Sequence, residues 1–233
     1  VDATTYEQGN MHLAPEKATK VDLSYNFSSQ AVNLFVNGYL SHTTDYISQM
    51  TKMDNERLIT TYANADSDIK RGIEVSLKVT PAKWMNFSVG ANTYYVTTEG
   101  VFEGMHIDNQ GWTNNSNLLL DFVPWKGGDL QLQYFITTPQ YYPQLTTSLT
   151  HQMNMGIKQR FMKGAMTASI LVTDVLNTAK WDVWSNNSLF NLKNSSTNKS
   201  RMIWLGVSYN FNSFKQKSNQ KAETDRSLIK LGL

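Results

Sequence analysis

The chain is predicted to be all-β, an antiparallel section of a transmembrane β-barrel, and two observations carry that prediction. The first is strict alternation of side chains. Lys20 to Phe27 places Val21, Leu23, Tyr25 and Phe27 on one face of a strand and Asp22, Ser24 and Asn26 on the other. Arg201 to Phe211 repeats the pattern, with Ile203, Leu205, Val207, Tyr209 and Phe211 opposite Met202, Trp204, Gly206, Ser208 and Asn210, and ends on the same Ser-Tyr-Asn-Phe. A period of two gives each segment one apolar and one polar face. The second observation is that short and long connections between such segments alternate in strict order. Spanning barrels sort their turns in that way, short on the periplasmic side and long outside, whereas a soluble sandwich has no reason to.

Nine strands follow in chain order: Lys20 to Phe27, Ala31 to His42, Arg71 to Val79, Met85 to Val96, Asn117 to Val123, Leu130 to Thr137, Thr147 to Phe161, Met166 to Leu176 and Arg201 to Phe211. Gly, Asn, Pro and charged clusters punctuate them. The short connections are Ser28 to Gln30, Thr80 to Lys83, Pro124 to Gly128 and Met162 to Gly164. The long ones are Thr43 to Lys70, Thr97 to Ser116, Thr138 to Thr146 and Asn177 to Ser200. This parity sends the first and last strands down to one periplasmic rim. Residues 1–211 are therefore read as barrel section and 212–233, charged and without strand period, as a flexible periplasmic tail whose apolar end, Leu228 to Leu233, is unexplained.

The alternation also assigns the faces. Glu74, Ser76, Lys78, Asn86, Ser88, Asn92, Gln131, Gln133, Gln152, Asn154, Lys158 and Arg160 are placed toward a watery lumen. Ile73, Val75, Leu77, Val79, Phe87, Val89, Leu130, Leu132 and Ile136 are placed toward lipid, which would not tolerate the first set. Tyr25, Phe27, Trp84, Phe122, Trp125, Phe161, Tyr209 and Phe211 gather at the periplasmic ends, where an aromatic girdle anchors a barrel at the interface.

Composition bounds the alternatives. Mean hydropathy is −0.41, and no apolar run approaches the ~18 residues of a membrane helix. A barrel escapes that test, because only alternate residues meet lipid. The net charge of +2, with no basic stripe, gives no electrostatic footprint for nucleic acid. Cysteine is absent, which removes disulfides and thiolate sites. The chain starts at Val1 without a signal segment and is expected to be a piece of a longer precursor.

Chemistry is sparse. His12, His42, His106 and His151 show no metal spacing, and no metal site or cofactor is expected. Asn64-Ala65-Asp66-Ser67-Asp68 lacks the glycine and distal glutamate of a calcium loop. Ser148 with His151 is the one pair resembling a nucleophile and base, and it has no orienting acid in sight; the expectation is that the chain is not an enzyme. Trp112, Tyr141, Tyr142, Trp181 and Trp184 sit among Asn, Gln and Asp in the outer loops. They are candidate ligand contacts, able to stack on sugars or grip a peptide, or else interface padding.

Four segments resemble the C-terminal barrel of TonB-dependent outer-membrane receptors, particularly the Bacteroidota-type outer-membrane β-barrel group. They are Gly9-Asn10-Met11-His12-Leu13-Ala14-Pro15-Glu16 with the strand that follows; Asn64 with Arg71-Gly72-Ile73-Glu74; Val172-Thr173-Asp174-Val175-Leu176-Asn177-Thr178; and Leu205-Gly206-Val207-Ser208-Tyr209-Asn210-Phe211. Thr173 and Leu176 depart from the pattern of the third. The resemblance implies the closing part of a barrel of about 22 strands with a plugged lumen. It also implies an N-terminal plug driven by TonB, and a last strand whose Tyr209 and Phe211 are read by the barrel assembly machinery. The implied partners are outer-membrane lipid, the plug and remaining strands of the same precursor, and TonB; nucleic acid is not among them. The implied function is energy-coupled uptake of a glycan, peptide, siderophore or cobalamin in the bacterial outer membrane. A plugless barrel for adhesion or scaffolding is the alternative, and a barrel hydrolase the third.

Overall fold

Each of the nine expected segments contributes a strand to one antiparallel meander, some of them over a shorter span than expected. The computed structural model describes residues 5–54, 57–185, 187, 189–197 and 199–211. Its strands are β1 (Thr5–Gln8), β2 (Lys17–Ser28), β3 (Val32–Asp54), β4 (Arg57–Ala82), β5 (Met85–Phe102), β6 (Met105–Phe122), β7 (Gly128–Thr137), β8 (Leu145–Thr147), β9 (Thr150–Phe161), β10 (Met166–Thr173), β11 (Lys180–Ser185), β12 (Lys193–Thr197) and β13 (Met202–Tyr209). The main sheet runs β13-β10-β9-β7-β6-β5-β4-β3-β2, with β1 lying parallel to β4; β12-β11-β8 make a separate small sheet. The large sheet does not close, and β2 and β13 are its edges. The periplasmic tail expected over 212–233 lies outside the described residues.

Register keeps every polar-face assignment together. Asn37 pairs with Glu74 and Glu74 with Asn92. Farther along, Gln133 pairs with Asn154 and Asp129 with Lys158. On the opposite face Val36 meets Val75, Leu130 meets Ile157 and Leu205 meets Ile170. Polar groups on the first face satisfy one another: Asn37 donates to Asp22 at 2.9 Å, Gln131 to Asp121 at 2.8 Å, and Arg160 pairs with Asp129 at 3.1 Å. Trp84 stacks on Phe122 with centroids 6.3 Å apart, and Tyr209 meets Phe211 edge-on at 4.7 Å, both at the short-turn end.

The long connections differ from expectation. Thr43 to Lys70 and Thr97 to Ser116 are not loops; β3 and β4 pair continuously from Val32↔Val79 to Asp54↔Arg57, and β5 and β6 from Met85↔Phe122 to Phe102↔Met105. Their β-branched and aromatic residues favour strand, and Glu103-Gly104, both at positive φ (49° and 77°), makes the two-residue turn that matches strand twist. β3 has 23 residues and β4 has 26, well beyond the ~9–11 that cross a bilayer. The expected strand Thr147 to Phe161 is broken, because Ser148 turns aside to Asp182: its N–H donates to the Asp182 carbonyl at 2.9 Å and its Oγ accepts the Asp182 N–H at 3.0 Å. The strand expected to reach Leu176 stops at Thr173, where Asp174 takes a left-handed φ of 45°.

The buried core lies in the hairpin extensions, not between the strands' middles. Met50, Ala65, Phe102, Met105 and Ile107 are buried together, with Tyr46, Ala63 and Leu189 packed on them. Met50, Phe102, Met105 and Ile107 each contribute about 1.5–3 kcal/mol relative to exposure. Inward positions on β3 are odd-numbered as far as Thr43, yet Met50 is the fully buried one beyond it. The change of parity coincides with Asp45 at a left-handed φ of 53°, and the β3–β4 register passes through it unshifted, from Thr44↔Ser67 to Tyr46↔Ala65.

Candidate functional site

A row of polar residues crosses the sheet where the outer extensions begin. Thr43 pairs with Asp68, Asp68 with Thr98 and Thr98 with Asn109. Thr43, Asp68 and Thr98 are buried, and the Thr98 hydroxyl donates to Asp68 at 2.7 Å. Lys70 stands 3.0 Å from the other Asp68 oxygen. Burial by itself would lower the Lys70 pKa, but the Asp68 carboxylate outweighs it and holds the ammonium above its usual value.

Over this row lies segment 138–147, which leaves the end of β7 and folds across the polar face. Thr113 donates to the Pro139 carbonyl at 3.0 Å, and Asn109 Nδ2 donates to the Tyr142 carbonyl at 2.5 Å. The Gln144 amide then reaches β3. Its Oε1 accepts the Thr51 N–H at 2.6 Å and its Nε2 donates to the Thr51 carbonyl at 3.0 Å, so one side chain pairs with Thr51 as a neighbouring strand would. Tyr141 lies directly over Gly111, where an added Cβ would stand 2.1 Å from the ring. Gly111→Val should therefore displace the ring and raise protease cleavage within 138–147. Unchanged cleavage would mean that the ring does not seat there.

Between this segment, the upper part of β6 and β11 opens a cleft of about 550 Å³, with predominantly polar walls that include His106, Asp108, Asn109, Gln144, Thr146 and Trp184. Met105 and Ile107 line it as well and belong to the buried core. Of the five aromatic residues expected at the ligand, Trp184 alone lines this cleft. Tyr141 packs on Gly111 close by, while Tyr142 and Trp181 are exposed outside it. Trp112 is on the opposite, apolar face, edge-on to Tyr95 at 5.5 Å, where a second girdle would sit. Gln144, Asn109 and Thr51 were not among the expected site residues. Their spacing of 93 positions between Thr51 and Gln144 leaves no local signal.

Ser148 and His151 are not brought together. Ser148 serves Asp182, and His151 Nδ1 lies 3.1 Å from the Tyr134 hydroxyl on the apolar face. The remaining motif residues instead hold backbone in place. Asn64 exchanges two hydrogen bonds with Ala14, each 2.9 Å, and donates to the Asp45 carbonyl at 2.6 Å; Asn10 donates to the Tyr62 carbonyl, and Glu16 accepts the Ile47 N–H. Asp174 joins the ends of β9, β10 and β13.

Compared with known families, residues 1–209 match the model of the outer membrane protein β-barrel family. No curated protein matches the chain.

Proposed function

The chain belongs to the outer membrane protein β-barrel family, and from that footing we propose that it is wall and outer mouth of a TonB-dependent receptor that takes up a nutrient too large for porins. An outer-membrane barrel section of this family exposes its apolar face to lipid and its polar face to the lumen, so the short turns lie in the periplasm and the extended hairpins outside. The observation that carries the transport reading is segment 138–147. It folds across the polar face and walls a cleft there, which in our reading narrows the mouth of the closed barrel and suits the catching of a ligand before it passes inward.

Two further features support the reading. The edges β2 and β13 leave rows of N–H and C=O groups that lipid cannot satisfy. In our reading the remaining strands of a barrel close on them, as in the Bacteroidota-type receptors that the motifs resemble. A plug inside that barrel would meet the polar face and pass the pull of TonB, and Tyr209 with Phe211 would serve the assembly machinery. No residue here is assigned a catalytic role, and no cofactor is needed.

The test is uptake by cells producing the full-length protein. Accumulation of a labelled glycan fragment, peptide, siderophore or cobalamin should depend on the protein and stop when an uncoupler collapses the proton-motive force. Accumulation that survives the uncoupler, or none of any of the four, would overturn the proposal.

A further inference from the structure

Among the described residues, the cleft is bounded by a strand edge that has no ladder partner. β6 pairs with β5 along its whole length, but with β7 only from Asn115 downward. At Asn114 the edge is covered by Thr138, whose N–H donates to the Asn114 carbonyl and whose Oγ1 accepts the Asn114 N–H. Asn114 therefore points its backbone groups away from β5. By the two-residue period, so do His106 and Asp108, both of which line the cleft. Among the described residues these two have no hydrogen-bond partner on that side.

The charge beside the edge is one-sided. Asp108 pairs directly with Glu99 of β5, two carboxylates facing each other across the strands, a like-charge arrangement that destabilises a sheet. Neither makes an ion pair among the described residues, and the cleft is lined by no lysine or arginine. A cation placed on the next strand position beside Asp108 would relieve the repulsion. The Asp108 and Glu99 side chains alternate onto the face away from Asn109, so a basic residue beside them points outward, and Trp184 on the far wall offers an aromatic surface to the alternate, inward side chains of the same strand.

We propose that the cleft binds an extended peptide carrying a basic residue, which adds as a strand to the free edge of β6 at His106 and Asp108. Main-chain hydrogen bonds to the two residues supply affinity, and Asp108 with Glu99 selects lysine or arginine beside them. A neutral sugar offers the exposed carboxylate pair no counter-charge, and an anionic chelate would be repelled by it. The proposal rests on the receptor reading above and names the ligand class of its outer site.

The test uses the full-length protein in detergent and three fluorescent pentapeptides: Thr-Lys-Val-Lys-Thr, its glutamate counterpart Thr-Glu-Val-Glu-Thr, and the lysine peptide with its backbone nitrogens methylated. The lysine peptide should bind about tenfold or more tightly than the methylated one, which has lost its main-chain donors. It should bind more tightly than the glutamate peptide as well. Its binding should slow amide exchange at His106 and Asp108, and Asp108→Asn should narrow the preference for lysine over glutamate. Equal binding of the methylated peptide, no binding of the lysine peptide, or its displacement by maltotriose would overturn the proposal. Energy-dependent uptake of a non-peptide nutrient would leave the receptor reading standing while this inference failed.

Discussion

Leu205→Arg is expected to cost the full-length protein about 2–4 kcal/mol of folding into a bilayer, whereas Asn210→Arg costs much less. Leu205 lies near the middle of β13, an edge of the sheet, paired with Ile170 on the apolar face, and is 77% exposed, with no protein layer over that face. A guanidinium there must leave water without a partner, since its neighbours on that face, Ile203 and Val207, are apolar. Asn210 follows the end of β13, its N–H bonded to the Ala165 carbonyl at the short-turn end, where headgroups and water can solvate a charge. Denaturant titration in lipid vesicles, with gel mobility before and after heating as the folding readout, gives both values. Equal losses would overturn the assignment of the two faces.

Asp174→Ala should destabilise the same protein by about 2–3 kcal/mol, as expected when buried donors lose their shared charged acceptor. Asp174 is fully buried. Its carboxylate accepts the N–H groups of Thr178 at 2.9 Å and Ala179 at 3.2 Å and the Ser200 hydroxyl, while its own N–H donates to Asn154. Arg201 adds hydrogen bonds to the carbonyls of Asp174 and Val175. One side chain thus closes the turn after β10 and ties down the chain just before β13. Alanine also tolerates the left-handed φ of 45° poorly, at a cost of about 1 kcal/mol or more. Asp174→Gly removes that strain and Asp174→Asn keeps one acceptor, so the series should run Ala worst, Gly next and Asn mildest. A loss below about 1 kcal/mol for all three, measured by denaturant titration, would show that β13 is held by its ladder alone.

The motif residues behave alike in this respect. Asn64, Asp174 and Gln144 each use a short polar side chain to stand in for a missing strand neighbour. Two of the three were visible in the sequence as members of motifs, though not what they bind. The third was not visible at all.

The period of two in segments such as Lys20 to Phe27 determined the fold class, the two faces and, with turn parity, the direction of every main strand. Those properties are local: they follow from neighbours two residues apart and from connection length. The outer end was different. Glu103-Gly104 flanked by alternating Val101, Phe102, Met105 and Ile107 carried a readable hairpin signal, but the left-handed backbone at Asp45 carried none, since aspartate only occasionally adopts that hand. The fold of 138–147 over the polar face, the cleft beneath it and the bare edge of β6 depend on contacts up to 93 positions apart. Such contacts form only after the sheet has set the distances between strands, and tertiary structure alone decided them.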